Sequence, residues 1–355
     1  MSDEVATTLD VLGASTELIR SIDSALVASP AGAVAGRVSR VDRGRFSMLS
    51  AQGPLNVATT GVSRVCVGDW VIVSASSGSP APDDTYELLE VLPRTTALIR
   101  QASGSRTEPQ ALAANIDAVL VLVPLDREIS PRQIERFLAL AFDSGALPVL
   151  ILTKRDLVES RDAVEARSLV GAVSTEVAVI TASVVTGEGM ADISALVARG
   201  RTLALLGTSG AGKSSLVNAL MGSNAVQTGA VRQADSKGRH TTTWRELVVV
   251  PSGGTLIDTP GLRELGMWVD EEGIDTVFSD ITDLAEHCKF NDCAHGNEPG
   301  CAVLAAITAG TLPAERLASY RKLIGEADEA ARENDRRLTN IERKNSRQRS
   351  GRQRR

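Results

Sequence analysis

No apolar run in this 355-residue chain reaches the roughly 18–20 residues needed to span a bilayer. A membrane-spanning helix is therefore not expected. The first ten residues, MSDEVATTLD, hold neither a basic stretch nor an apolar one, so a secretory signal is not expected and a cytoplasmic location is the default. With only four cysteines, the chain cannot be a disulfide scaffold. No internal repeat is visible. What remains is a globular composition, 43% hydrophobic and 23% charged, in a chain longer than the usual single domain, so two or three domains are expected.

Charge is unevenly spread. Residues 332–355 hold 10 Lys+Arg and 3 Asp+Glu, a net of +7, whereas the whole chain carries −6. The body is therefore acidic and the tail basic, which confines any polyanion contact to a local surface. The tail could neutralise phosphates, making binding salt-dependent, or act only as a solubiliser.

Five stretches follow one another. Residues 1–33 read as an extension with one weak amphipathic segment. Over 34–100, short β-type runs (Gly36–Val41, Phe46–Leu49, Trp70–Ser74, Tyr86–Leu92) alternate with turn residues, the pattern of a small all-β barrel. Over 101–269, with 101–114 as a connector, apolar runs at Ala118–Val123, Val149–Leu152, Val177–Ile180, Leu203–Leu206, Leu247–Val250 and Leu256–Ile257 suggest a parallel sheet covered on both faces. A helix is expected after Ser130-Pro131, with Ser130 as cap, Gln133 completing a capping box and Gly145 ending it. Its apolar face is Ile134, Phe137, Leu138, Ala141 and Phe142. Residues 270–338 read as helical around a cysteine cluster, with a helix from Leu312 to about Arg337. Residues 339–355 form the basic tail; 343–355 have no apolar face and are expected to be disordered.

Gly207-Thr208-Ser209-Gly210-Ala211-Gly212-Lys213-Ser214, followed by Ser215, fits the phosphate-binding loop GxxxxGK[ST] between a strand and a helix. Its glycines let backbone N–H groups face phosphate oxygens. Lys213 can reach the β- and γ-phosphates, and the Ser214 hydroxyl can bind Mg²⁺. Asp258-Thr259-Pro260-Gly261 fits DxxG, with Asp258 approaching Mg²⁺ through water and the Gly261 N–H meeting the γ-phosphate. Thr153-Lys154-Arg155-Asp156 closes a strand as NKxD does. The Asp156 carboxylate can accept from guanine N1–H and the 2-amino group, which adenine lacks. Thr181-Ala182-Ser183 resembles the backbone guanine-contact loop. The guanine signature precedes the phosphate loop, the reverse of the ordinary GTPase order, so the elements read as circularly permuted.

Between the phosphate loop and Asp258 lies Gly238-Arg239-His240-Thr241-Thr242-Thr243, where a switch threonine belongs; which threonine it is stays open. Leu262 stands after DxxG where many GTPases carry a water-orienting glutamine. Either another group positions water or hydrolysis waits for a partner. His240 is the nearest candidate catalytic residue, with a structural or RNA-facing role as the alternative.

Cys288-x4-Cys293-x-His295-x5-Cys301 offers three thiolates and one imidazole, a closed set for structural zinc. His287 is a less well-spaced alternative, and Cys66 reads as a small buried residue. Arg37, Arg40, Arg43 and Arg45, with Phe46 beside them, place positive charge on one β-segment and turn. This reads equally as an RNA surface or a solvated hairpin.

Together, LPRTTALIRQ, NIDAVLVLVPLD, TKRD, GTSGAGKSS, GRHTTT, DTPGLRELG and the C-x4-C-x-H-x5-C cluster with EPGCAV resemble the bacterial ribosome small-subunit-dependent GTPase A family over roughly residues 34–330. The resemblance implies an N-terminal OB-type barrel, an α/β circularly permuted P-loop GTPase domain and a mostly α-helical zinc-binding C-terminal domain. It implies a late assembly factor that binds the small ribosomal subunit and its 16S rRNA, hydrolyses GTP to GDP with Mg²⁺, and is released on hydrolysis. A monomer is expected. Leu262 and His240 match the family's hydrophobic residue and its histidine proposed to replace the glutamine. Two other readings are an RNA-binding module holding nucleotide only structurally, and an ATP-using metal chaperone, which Asp156 and a closed zinc set oppose.

Overall fold

The computed structural model describes residues 9–42, 44–58, 65–75, 86–100, 110–173, 176–222, 246–258 and 271–352. Five strands open the architecture: β1 (Val34–Asp42), β2 (Arg45–Ser50), β3 (Gly53–Ala58), β4 (Trp70–Ala75) and β5 (Tyr86–Val91). They pair in the order β1-β2-β3-β5-β4, and β4 pairs back onto β1, so the sheet closes into a barrel. Only β3 and β5 run parallel. Val38, Phe46, Met48, Val57, Val71 and Val73 fill the interior, alternate residues of each strand facing inward.

In its described part the N-terminal stretch is helical and packed against the barrel. Ser15 caps α1 (Thr16–Ala28), its Oγ accepting from the Leu18 N–H at 3.2 Å. Leu9, Leu12, Ala14 and Ile22 pack with Ala35, Trp70, Ile72 and Leu92 on the outside of the barrel. The stretch taken as a connector also contains a strand: β6 (Ala97–Arg100) pairs antiparallel with β7 (Gln110–Ala114).

Beyond it, β8 (Ala118–Pro124), β9 (Leu147–Thr153), β10 (Ala178–Thr181), β11 (Thr202–Gly207), β12 (Glu246–Val249) and β13 (Thr255–Asp258) lie in the order β10-β9-β8-β11-β13-β12. The first five in that order are parallel. β12, which sequence places in a parallel sheet, runs antiparallel to β13. Only Val250–Gly254 separates them, and a link that short turns the chain back rather than crossing the sheet. At its far edge β12 meets β1 through the pair Arg40–Glu246, so barrel and parallel sheet form one continuous 11-stranded sheet.

The continuous apolar runs have a direct cause. In β8, Val119, Val121 and Val123 face α2 (Pro131–Asp143) and α3 (Ser160–Val173), while Ala118, Leu120 and Leu122 face α4 (Met190–Leu196) and α5 (Lys213–Met221). The helix expected after Ser130 forms as α2, and Gly145 follows it at φ 78°. Ser130 occupies the cap position without a side-chain cap bond; its backbone carbonyl accepts from Gln133 and Ile134 instead.

Among the described residues, four helices follow: α6 (Glu271–Val277), α7 (Ser279–Ala285), α8 (Ala302–Thr308) and α9 (Ala314–Arg352). Ile274, Phe278, Ile281, Val303, Leu317 and Leu323 join the same core that covers the α2 face of the sheet. The expectation of a disordered tail does not hold for residues 343–352, because α9 continues to Arg352. Residues 328–350 contain no proline or glycine and are rich in Arg, Glu and Lys, strong helix formers, so the backbone stays helical without an apolar stripe. Among the described residues, no helix is long and apolar enough to cross a membrane.

Two arginines join these parts. Arg37 is fully buried at the back of the barrel. It donates to the Leu12 carbonyl, to Thr202 Oγ1 at 2.6 Å, to the Asn115 carbonyl at 2.7 Å and to the Gly68 carbonyl at 3.2 Å. Its guanidinium also lies 5.3 Å from the Trp70 ring centroid. Burial pushes its pKa down to about 10, against the pull of Asp117 and Asp69. Arg37 and the buried Phe46 therefore do not belong to an RNA-facing surface; β1 is covered on both faces, so its arginine must be satisfied internally. Arg40 pairs with Asp42, Arg45 is exposed, and Arg43 lies outside the described residues. At the other end, Arg316 of α9 binds the buried Glu135 of α2 at 2.8 Å, Asp280 at 3.0 Å and the Val277 carbonyl at 2.6 Å. It stacks on the Phe278 ring at 4.2 Å.

Candidate nucleotide site and metal centre

All the described nucleotide-site candidates gather at the C-terminal ends of the parallel strands, where open α/β sheets place their ligands. The phosphate loop leaves β11 and enters α5 directly after Gly212. Gly207 has φ 146°, and a Cβ there would lie 2.7 Å from the Leu122 carbonyl oxygen, so the loop hugs the neighbouring strand β8. Lys213 Nζ donates to the Gly207 carbonyl at 2.5 Å and to the Thr208 carbonyl at 2.9 Å, folding its side chain over the loop. Ser209, Gly210, Ser214 and Ser215 are exposed, while Ala211 is buried.

The loop at 153–156 touches the phosphate loop. Thr153 is buried, and its hydroxyl donates to the Ala211 carbonyl at 2.7 Å. Sequence shows Thr153 only as a variant of the usual asparagine; the structure shows it tying two loops 58 positions apart. Lys154 takes the left-handed conformation, φ 61°, and its ammonium meets Asp126 at 2.6 Å. Asp156 is exposed, and one carboxylate oxygen accepts from Ser183 Oγ at 2.5 Å. Ser183 Oγ also accepts from the Val185 and Thr186 N–H groups, and the Arg155 N–H donates to the Ala182 carbonyl. The two loops after β9 and β10, including Thr181, Ala182 and Ser183, are thus bonded into one rim.

Asp258 ends β13, beside Leu205 of β11. Gly261, His240, Thr241, Thr242, Thr243 and Leu262 lie outside the described residues. Asp126 and Arg127, missed in the sequence reading, stand at the same rim. Their position directly after a central parallel strand was the available signal. The hydrogen bond from Lys154, assisted by Arg127, holds the Asp126 carboxyl below its usual range.

Near α8, Cys288, Cys293, His295 and Cys301 bring their ligand atoms within 4.8 Å of one another. Sγ of Cys288 lies 3.8 Å from Sγ of Cys301 and 3.6 Å from Nδ1 of His295, and Sγ of Cys301 lies 3.5 Å from the same nitrogen. A tetrahedral ion bonded at about 2.3 Å to sulfur and about 2.0–2.1 Å to nitrogen has edges of roughly 3.8 and 3.6 Å, so the donor set fits such an ion. His295 itself has φ 57°, set by the knuckle's turn. His287 stands apart, exposed, its ring nitrogen on the Asp283 carbonyl. Cys66 is buried, away from the cluster.

A phosphate loop downstream of a guanine-type loop on one parallel sheet defines a circularly permuted GTPase. Solved structures share this fold: YjeQ from Thermotoga maritima matches with TM-score 0.60 and 26% identity over 83% of this chain and 98% of that one. YloQ, described as a circularly permuted GTPase, matches with TM-score 0.58 and 26% identity over 84% and 96%. The RsgA GTPase family model matches residues 91–268. The small ribosomal subunit biogenesis GTPase RsgA of Streptomyces coelicolor is 49% identical over 83% of this chain and 81% of its own length. A protein of the same description, RsgA 2 of Lactiplantibacillus plantarum, is 38% identical over 82% and 83%. The chain belongs to the RsgA GTPase family, and its activity is GTP hydrolysis.

Proposed function

We propose that this chain hydrolyses GTP to GDP and phosphate during late maturation of the small ribosomal subunit, binding the subunit and its 16S rRNA and leaving as hydrolysis occurs. The observation that carries the reading is the bonding of the guanine-type loops to each other, Ser183 to Asp156, and to the phosphate loop, Thr153 to Ala211, in a chain whose relatives are named for small-subunit biogenesis. In this reading Asp156 takes the guanine N1–H and 2-amino group, with Lys154 and the backbone of Thr181–Ser183 around the base. The loop 207–215 and Lys213 hold the phosphates. Ser214, and Asp258 through water, hold Mg²⁺, whose charge offsets that of the phosphates. Gly261 meets the γ-phosphate, and His240 orients the attacking water in place of the glutamine that Leu262 displaces.

The barrel over residues 34–100, ordered 1-2-3-5-4, serves as an OB-type RNA-binding module, with exposed Arg45 among its contacts. The Cys₃His group holds one structural zinc within a helical domain over residues 270–338. The protein works as a cytoplasmic monomer. GTP turnover with and without purified small subunits tests the reading: stimulation is expected, and no turnover under either condition would end it. Asp156→Asn is expected to shift preference from GTP toward xanthosine triphosphate; an unchanged preference would remove Asp156 from the base site.

A further inference from the structure

We propose that Arg127 is a catalytic arginine supplied in cis, contacting the β- and γ-phosphates as the bond between them breaks. This rests on the GTPase activity and deepens it.

Arg127 lies on the turn that leaves β8, and its Nη1 donates to the Ser209 carbonyl at 3.1 Å, at the exposed crest of the phosphate loop. A Cβ on Gly210 would lie 3.2 Å from Arg127 Nη2, so the guanidinium lies close against this glycine. Lys213 rests on the carbonyls of Gly207 and Thr208. Two cations from different elements thus grip three consecutive carbonyls, 207, 208 and 209, of one loop. Lys213 is the cation that reaches the phosphates in such loops, and Arg127 holds the matching place on the outer side.

Asp126 fixes the arrangement. Its Oδ1 accepts from Arg127 Nε at 3.2 Å and its Oδ2 from Lys154 Nζ at 2.6 Å. The Arg127 side chain remains 45% exposed, so this contact adds little stability by itself. Its position makes chemical sense. In hydrolysis a water oxygen bonds to the γ-phosphorus, and the bond to the β–γ bridging oxygen breaks. The electron pair stays on that oxygen of GDP, and the water supplies a proton to solution beside inorganic phosphate. Negative charge grows on the bridging and γ oxygens, where a planar, permanently charged fork is the most effective side chain. The sequence places Leu262 after DxxG, so no glutamine assists from that position.

The test uses the full-length chain and purified small subunits. Arg127→Ala is expected to lower subunit-stimulated turnover by roughly 10²–10³-fold, as for loss of one transition-state donor. Affinity for GDP is expected to hold within about twofold, whereas binding of aluminium fluoride with GDP, which mimics the transferring phosphoryl group, should be lost. Arg127→Lys should recover only part of both, because an ammonium lacks the fork. Unchanged turnover, or a loss of GDP affinity matching the loss of turnover, would overturn the proposal while leaving the GTPase intact. Absence of turnover in the unaltered chain would overturn both.

Discussion

Arg37 and Arg316 fasten the same central sheet to its two neighbours, and they do so by different chemistry. Arg37 sits where barrel, N-terminal segment and sheet meet, and its bonded partners are neutral oxygens: three backbone carbonyls and the hydroxyls of Thr202 and Thr255. Arg316 sits where α9 meets α2 and α7, bonded to two carboxylates and one carbonyl and stacked on an aromatic ring. The first joint has no exposed component. The second is partly open, with Asp280 46% exposed. A cation held by neutral backbone fixes position with little tolerance for replacement. A cation held by carboxylates leaves a charge stranded when either partner is removed, so this joint fails through the abandoned ion.

The comparison can be broken from the metal end first. Structural zinc in small domains contributes roughly 10–16 kcal/mol. Cys293→Ser should release the metal and loosen residues 288–301, and with them the ground on which Arg316 stands, while leaving the Arg37 joint unaltered. Zinc stoichiometry and hydrogen exchange at both joints check this; full zinc occupancy would contradict it.

Arg37→Leu comes next. Each buried acceptor left unpaired costs about 1–3 kcal/mol, and several are abandoned together. Exchange should quicken in β7 and at the start of β11, with a lowered urea midpoint. Arg37→Lys should rescue little, since one ammonium cannot span Leu12, Asn115 and Thr202 as the fork does. Arg316→Met should cost about 3 kcal/mol, because it strands the buried Glu135, whose Oε2 already lacks a partner among the described residues. Adding Glu135→Gln should recover much of the loss, a coupling that thermal melts of the four-variant cycle can read.

The smallest effect belongs to an exposed pair at the rim. Asp126→Asn should change stability by under about 1 kcal/mol. The Asp126 carboxyl is held low by Lys154, so its contribution is present above the usual carboxylate pKa of about 3.9 and fades as pH falls through the folded value. Melts from pH 7 down to pH 2 should converge for the two proteins at the acid end; a persistent gap there would point to a packing role.

The legible parts of this molecule were those written in short windows. Glycine spacing at 207–212, the Cys₃His spacing and the 3.6-residue period of α2 each sit within one turn or element. The illegible parts depend on distant partners. Arg37 reads as surface charge because its acceptors lie 25, 31, 78, 165 and 218 positions away. Its apolar neighbours Ala35 and Val38 were the clue that it is buried. Glu135 reads as the polar face of α2 because its partner Arg316 lies 181 positions away on α9. The role of Thr153 depends on the loop it touches, whereas the antiparallel turn of β12 is written locally, in the short link to β13.

The long last helix has an electrical consequence. Among the described side chains its packed apolar contacts reach Ala327, and its backbone continues helical to Arg352, a further run of roughly 37 Å at about 1.5 Å per residue. The last 24 residues carry a net +7 on a chain whose total is −6. The sequence therefore concentrates basic residues on the stretch that this helix carries past its packed part. A local basic stretch on an acidic chain steers a polyanion toward that stretch, and the steering weakens as salt rises.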